Sequence, residues 1–226
     1  MEVEIFSDVA CPFCYIGKRH FERALAEFPQ ADEVAVTWRS FQLDPAAPAE
    51  PKEGGTYARL ASKYGISLDE AEAMGNRVTD MAEAAGLGMD FEAVLSVNTF
   101  DAHRMIHFAR AAEGQQGTGQ AQNRMVEVLF DSYFTAGENL ADRDTLVRLA
   151  GEAGLDSESA RVALDAGQFE EDVRAELSEA MELGLNGVPA FVIGRSLLVS
   201  GAQPPEAILG ALQQARESAL AGGSAG

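Results

Sequence analysis

The sequence predicts an α/β protein whose small sheet is interrupted by a long helical block. Three observations carry this prediction. Strand-like alternation occurs at residues 2–7 and 34–41 and returns at residues 189–200. Between these segments, residues 56–184 carry apolar stripes at helical spacing. With 226 residues and 46% hydrophobic content, the chain is long enough to bury a substantial core.

The first strand leads directly into a helix. Residues 2–7 are rich in Val, Ile and Phe, and Pro12 then opens a helical pattern, because proline suits the first position of a helix. The second strand contains the only tryptophan, Trp38. It ends in the proline-rich loop 44–51, which is the best candidate for a domain boundary.

The middle of the chain has the pattern of helices throughout. Ser67 and Glu70 predict a capping box at the start of one of them. The segment 114–119 is rich in glycine, but it follows a helix rather than a strand, so we interpret it as a helix connection and not as a phosphate loop. Strand character returns as a hairpin that turns at residues 194–195, and a last helix begins at Pro204.

Acidic residues outnumber basic ones by 36 to 17, which gives a formal net charge of −19. Such a chain repels phosphate backbones and anionic lipid surfaces, so we expect neither nucleic acid nor a membrane as a partner. The N-terminus lacks the basic start and apolar core of a signal peptide, and no apolar run approaches membrane-spanning length. These features predict a cytoplasmic protein.

Both cysteines of the chain, Cys11 and Cys14, fall within one four-residue stretch. A structural zinc site needs four ligands, usually from a second such pair or a paired His motif, and there is no second cysteine pair. Redox chemistry needs only two sulfurs, one that attacks as a thiolate and one that resolves the mixed disulfide. The spacing therefore favours redox chemistry over metal binding, with inert cysteines or a static disulfide as the structural alternative.

The predicted elements follow one another as strand, cysteine-bearing helix, strand, helical block, hairpin and helix. The most distinctive stretches are residues 7–18, 38–45, 98–99 with 102–104, and 187–192 with 199–203. In these stretches the chain resembles the DsbA-like thioredoxin-fold family, in particular its cytoplasmic FrnE-type members. It is more distantly similar to kappa-class glutathione transferases and 2-hydroxychromene-2-carboxylate isomerases. The resemblance covers essentially the whole chain and implies a thioredoxin fold with a large all-helical insertion domain.

The resemblance also implies a division of the chain into a thioredoxin-like domain over residues 1–44 and 185–217 and a helical insertion domain over residues 45–184. The end of the chain, residues 218–226, is expected from its composition to be a disordered tail. The resemblance further implies that Val188 and Pro189 form the loop that carries a cis-proline beside the active-site disulfide. There the backbone of Val188 could pair with an extended substrate. Without the resemblance, a trans proline at the start of an edge strand fits the sequence equally well.

Cys11 is expected to be the nucleophile, because the free N–H groups and the dipole at a helix N-terminus stabilise a thiolate. Cys14, one turn further along, is expected to be more buried and to resolve the mixed disulfide. Pro12 and Phe13 would form an apolar patch that contacts substrate, although Phe13 could equally be a partly buried core ring. In the strongly oxidising periplasmic DsbA a histidine occupies the place of Phe13, so the resemblance implies a less oxidising couple here.

His103 and His107 lie four residues apart and share a helix face, at a spacing that metal sites use. No nearby acidic residue completes a zinc pattern, so we expect no metal, a solvated His107, and a His103 that is packed or hydrogen-bonded. In the related isomerases this motif lies near the substrate cleft, which makes Asn98 and His103 candidates for lining the site. Lys18 and Arg19 are expected to be surface charges.

The leading functional hypothesis is a dithiol-disulfide oxidoreductase, or a protein disulfide isomerase, acting on protein thiols. It would need no cofactor beyond the redox-active Cys11–Cys14 pair and would use a low-molecular-weight thiol as co-substrate. The main alternative is a glutathione-type small-molecule isomerase or transferase, linked to polyketide or aromatic metabolism; such relatives typically carry serine where Cys11 stands. A binding or chaperone-like module is the third hypothesis. The relatives imply a monomer or a homodimer.

Overall fold

A computed structural model of the protein describes residues 1–51, 55–114 and 119–223. The strands are β1 (Glu2–Ser7), β2 (Ala35–Ser40), β3 (Ala190–Ile193) and β4 (Leu197–Ser200). They form a sheet with the order β2-β1-β3-β4, in which β1 is parallel to β2 and antiparallel to β3, and β3 is antiparallel to β4. The two ends of the chain therefore build one sheet, as the alternating segments predict.

The helices lie where the apolar stripes predict them. In chain order they are α1 (Pro12–Glu27), α2 (Gly55–Tyr64), α3 (Leu68–Ala84), α4 (Phe100–Glu113), α5 (Gln120–Phe134), α6 (Arg143–Glu152), α7 (Ser157–Asp165), α8 (Glu170–Glu182) and α9 (Pro205–Gly223). The capping box at the start of α3 is present, with Ser67 and Glu70 bonding each other's backbone N–H groups. The predicted connection over residues 114–119 has Gly114 and Gly119 at positive φ, and its residues 115–118 lie outside the described part.

One apolar cluster joins the sheet to the inserted helices. It includes Val3 and Ile5 on β1 together with Met105 on α4 and Leu129 on α5, all of them fully buried. The opposite face of β1 presents Phe6 to a smaller cluster that Ala180 of α8 shares. The α/β class and the helical insertion are thus confirmed. The residue limits of the two domains stay a prediction. Side chains from both predicted domains contribute to one apolar core, so the core does not mark a boundary between them.

The outer edge of β2 is bonded by side chains rather than by another strand. The amide of Gln122 accepts from Trp38 N and donates to Trp38 O, both at 2.9 Å. The carboxylate of Glu176 accepts from Ser40 N at 2.7 Å. Helices α5 and α8 therefore occupy backbone groups that an edge strand normally leaves open.

The expected disorder of residues 218–226 is wrong for its first part. Helix α9 continues to Gly223, because Ser218, Ala219, Leu220 and Ala221 include good helix formers. Residues 224–226 lie outside the described part of the chain. Among the described residues, no helix is long and apolar enough to cross a membrane.

Candidate active site

The two cysteines lie at the junction of β1 and α1. Cys11 is the residue that precedes the helix, with extended backbone angles, and Pro12 occupies the first helical position. Cys11 N donates to Asp8 O, and Cys14 N donates to Cys11 O, each at 3.0 Å. Both sulfurs are free thiols. The turn thus places Cys11 at the helix N-terminus with Cys14 one turn behind it.

The first turn of α1 contains no acidic residue, and the Cys11 side chain makes no capping hydrogen bond to the N–H groups of this turn. Pro12 has no N–H and Cys14 N is bonded to Cys11 O, so the positive end of the helix dipole is what this turn offers to a negative charge at residue 11. The side chain is nonetheless enclosed, since Cys11 is only 3% exposed.

Cys14 has the environment of a resolving thiol. Burial raises the pKa of Cys14 well above its usual value, and the neighbouring Cys11 sulfur raises it further. The Ser7 hydroxyl and the Asp8 backbone oppose this increase by hydrogen bonding to the sulfur. Cys14 therefore stays protonated at neutral pH, one helical turn behind Cys11.

The loop that carries Pro189 closes the other side of the site. The Val188–Pro189 peptide bond is cis, as the resemblance implies. Cys11 Sγ donates to Val188 O at 3.5 Å. Gly17 of α1 packs against this loop so closely that a Cβ atom there would lie 2.8 Å from Pro189 Cγ. Glycine is therefore required at residue 17 for the loop to lie beside Cys11.

The dipeptide between the cysteines presents apolar surface. Pro12 is half-buried and Phe13 is 38% exposed, so the interpretation of Phe13 as an apolar patch fits better than the core alternative. Leu43, whose backbone N–H donates to Asp8, is 43% exposed. Contact of Pro12, Phe13 and Val188 with substrate stays a prediction.

Asn98 has a full set of bonds within the protein. Its Nδ2 donates to Pro45 O and Ala47 O at 3.1 and 3.2 Å, and its Oδ1 accepts from Phe100 N and Gln42 Nε2 at 2.9 and 3.3 Å. These bonds fix the loop that follows β2 and start α4. The expected contact of Asn98 with substrate stays a prediction, since its polar atoms are already engaged.

The two histidines of α4 occupy different environments. His103 is 1% exposed, and its Nε2 lies 3.6 Å from Asp8 Oδ1. Neither of its ring nitrogens has a hydrogen-bond partner among the described residues, so it is packed rather than hydrogen-bonded. His103 is thus brought next to the turn that holds the cysteines.

The expectation that His107 is solvated is wrong. Its Nε2 lies 3.1 Å from Ser40 Oγ and 3.0 Å from Glu176 Oε2, and its ring stacks on Phe169. Burial would raise the pKa of Glu176, but the hydrogen bond and charge of His107 outweigh it and lower that pKa below its usual value. Within residues 1–51, 55–114 and 119–223, no group of three His, Cys, Asp or Glu side chains could hold a metal ion.

Lys18 and Arg19 are also not simple surface charges. Lys18 is only 2% exposed and bonds Glu22 and Glu127, the latter at 2.7 Å. Arg19 bonds the same two carboxylates, and Tyr15 donates to Glu127 at 2.8 Å. Burial would raise the pKa of Glu127, but the hydrogen bonds from Arg19 and the charge of Lys18 lower it to about 2. We call these five residues the α1–α5 clamp, because they join the active-site helix to α5.

Two residues near the cysteines, Ser7 and Asp8, are not among the site residues that the sequence predicts. Ser7 and Asp8 are polar residues directly after a buried strand and directly before the cysteines, and both are at most 5% exposed. A buried polar pair at the carboxyl end of a strand is a signal that marks many sites. The spacing of the cysteines does not by itself point to these two residues.

The fold and the cysteine site define the class of the protein. The model of the DSBA-like thioredoxin domain family matches residues 2–213, and the chain belongs to that family. This membership confirms the resemblance that the sequence motifs indicate.

Among solved structures, the chain is similar to a probable DsbA oxidoreductase from Streptomyces coelicolor, with 38% identity and a TM-score of 0.87 over 96% of this chain and 90% of that one. It has the fold of the cytosolic disulfide reductase DsbM from Pseudomonas aeruginosa, with 17% identity and a TM-score of 0.60 over 95% and 98%. It also has the fold of a 2-hydroxychromene-2-carboxylate isomerase, with 16% identity and a TM-score of 0.66 over 99% and 98%.

Proposed function

We propose that the protein is a cytoplasmic dithiol-disulfide oxidoreductase that acts on protein thiols and disulfides. One observation carries the proposal: Cys11 stands at an uncapped helix N-terminus with the buried Cys14 one turn behind and Val188 O against its sulfur. This arrangement supplies an attacking thiolate and a resolving thiol. Catalysis on this pair requires no metal or cofactor.

In the reducing direction, the Cys11 thiolate attacks one sulfur of a substrate disulfide, and the other substrate sulfur leaves as a thiolate. Cys14 then loses its proton and attacks the Cys11 sulfur of the mixed disulfide. The Cys11–Cys14 disulfide forms, the second substrate sulfur is released, and two electrons have passed to the substrate. A low-molecular-weight thiol of the glutathione type restores the dithiol, and the same steps in reverse oxidise a substrate dithiol.

Protein substrates are favoured by the surface around Cys11. Phe13 and Leu43 expose apolar side chains, and Val188 offers backbone groups to an extended segment. The cytoplasmic location is proposed because the chain uses its only two cysteines at this site, with none left for a structural disulfide.

The proposal is tested with the wild type and two variants, Cys11→Ser and Cys14→Ser. The wild type should reduce insulin with a thiol reductant and reactivate scrambled ribonuclease, the second activity measuring isomerisation. Cys11→Ser should lose both activities. Cys14→Ser should accumulate mixed disulfides through Cys11, which mass spectrometry of the intact adduct detects.

Full activity of Cys11→Ser would show that the nucleophile is elsewhere. A wild type that leaves protein disulfides unchanged but isomerises a glutathione-dependent aromatic substrate would replace the proposal with the small-molecule alternative. Glu27→Gln is the matched control, because Glu27 is exposed at the far end of α1. It should behave as the wild type does.

A further inference from the structure

Asp8 is the acidic residue that lies nearest in sequence to Cys11. It is 1% exposed, and each carboxylate oxygen accepts a backbone hydrogen bond, Oδ1 from Ala10 N at 3.2 Å and Oδ2 from Leu43 N at 2.7 Å. Its carbonyl accepts from Cys11 N at 3.0 Å. Asp8 therefore brings a buried acidic group into the turn that presents the nucleophile.

His103 is the side chain from the helical insertion that faces this carboxylate. Its Nε2 lies 3.6 Å from Asp8 Oδ1, and both ring nitrogens are unpartnered within the described residues. A buried imidazole normally has hydrogen-bond partners, because an unpaired polar atom in the interior is costly. The absence of a competing partner leaves Asp8 as the group with which this ring interacts.

The two cations of α1 that follow the turn are already balanced by carboxylates. Lys18 and Arg19 of α1 are paired with the carboxylates of the α1–α5 clamp. Burial, followed by the charge of Asp8, raises the pKa of the Tyr133 phenol, and the charge of Arg59 opposes this increase without reversing it, so the phenol stays neutral. Phe13, between the cysteines, carries no charge.

We propose that Asp8 and His103 are positioning residues that set the reduction potential of the Cys11–Cys14 couple, Asp8 by opposing the Cys11 thiolate and His103 by offsetting Asp8. This inference rests on the proposed function, since it requires that the couple cycles between disulfide and dithiol. The disulfide form carries no charge at the sulfurs, whereas the reduced form carries a thiolate. A fixed negative charge beside the turn therefore destabilises the reduced form selectively.

The equilibrium that measures this effect is the reaction of the protein disulfide with two glutathione thiols to give the protein dithiol and glutathione disulfide. Two electrons and two protons pass from the glutathione thiols to the cysteines. Asp8→Asn keeps the shape of the side chain and removes its charge. We expect it to shift this equilibrium toward the dithiol by about tenfold or more, because one charge within about 12 Å changes an equilibrium by at least that factor at an effective dielectric of about 20.

His103→Gln should shift the equilibrium the other way, toward the disulfide, by about threefold or more. In the double variant the effect of residue 103 should disappear, because there is no longer a charge to offset. The fractions of dithiol and disulfide are measured by alkylation of the intact protein in glutathione buffers. Glu27→Gln removes the same charge at the exposed end of α1 and should leave the equilibrium unchanged.

The inference is overturned if the dithiol–disulfide equilibrium of Asp8→Asn stays within about twofold of that of the wild type. It is also overturned if His103→Gln shifts this equilibrium as much in the Asp8→Asn background as it does in the wild type. Should Asp8→Asn not fold, because it loses one backbone hydrogen bond, His103→Gln alone decides: an unchanged equilibrium overturns the inference. A wild type that never forms the Cys11–Cys14 disulfide in these buffers refutes the proposed function itself. If the disulfide forms normally but its equilibrium with the dithiol is unchanged by both substitutions, only the role of Asp8 and His103 is refuted.

Discussion

Replacing Glu127 with glutamine tests whether the α1–α5 clamp holds the active-site helix. The pKa of Glu127 falls from its usual 4.5 to about 2, because bonds from Arg19 and the charge of Lys18 outweigh the effect of burial. A lowering of the pKa by that amount corresponds to at most about 3 kcal/mol in the free energy of unfolding. Since the side chain is 32% exposed, solvent screening reduces this to roughly 1–2 kcal/mol.

The effect has a defined pH dependence. A carboxylate whose pKa is lower in the folded state stabilises the protein fully above the unfolded pKa, and this contribution is lost as the pH falls through the folded value. The wild type should therefore exceed Glu127→Gln in stability by roughly 1–2 kcal/mol at pH 7, and the difference should vanish between about pH 4.5 and pH 2. Urea unfolding followed by circular dichroism at several pH values measures it.

Glu152→Gln is the control, since among the described residues Glu152 pairs only with Arg148, and both side chains are about half exposed. Its stability should change by less than about 0.5 kcal/mol. Equal losses in the two variants, or a Glu127→Gln difference that does not change with pH, would refute the idea that the clamp depends on the charge of Glu127.

Three further predictions concern the cysteine site. Gly17→Ala should lower the free energy of unfolding by about 1–3 kcal/mol and impair insulin reduction, because the new methyl group displaces the loop that carries Pro189. Its control is Gly210→Ala, where the added Cβ meets open space, and this variant should raise the free energy of unfolding by about 0.5–1 kcal/mol. Phe13→His should make the couple more oxidising, shifting the equilibrium with glutathione toward the dithiol by about tenfold or more. An unchanged equilibrium would show that the phenyl ring does not set the potential of the couple. In Cys11→Ser, alkylation of Cys14 by iodoacetamide should be slow at pH 7 and accelerate steeply at alkaline pH, because burial raises the pKa of this thiol. An alkylation rate at pH 7 equal to that of the unfolded chain would contradict the raised pKa of Cys14.

The sequence could predict the features that depend on near neighbours. The alternating strands, the helical stripes and the cysteine turn all have periods or spacings of a few residues. The side-chain environments depend instead on distant partners. Lys18 is buried because Glu127, 109 positions along the chain, neutralises it. His107 is buried because Glu176, 69 positions away, receives its hydrogen bond. Neither pairing leaves a local pattern, so both side chains are expected, wrongly, to face solvent.

The occupied edge of β2 has a consequence for how the protein behaves in a crowded solution. An open strand edge is a template on which extended chains add, and such additions lead to aggregates. Gln122 and Glu176 bind the backbone of β2 at Trp38 and Ser40, so an unfolded chain finds these groups already taken. A protein that is proposed to handle unfolded substrates can in this way receive them beside Val188 without joining them into an intermolecular sheet at β2.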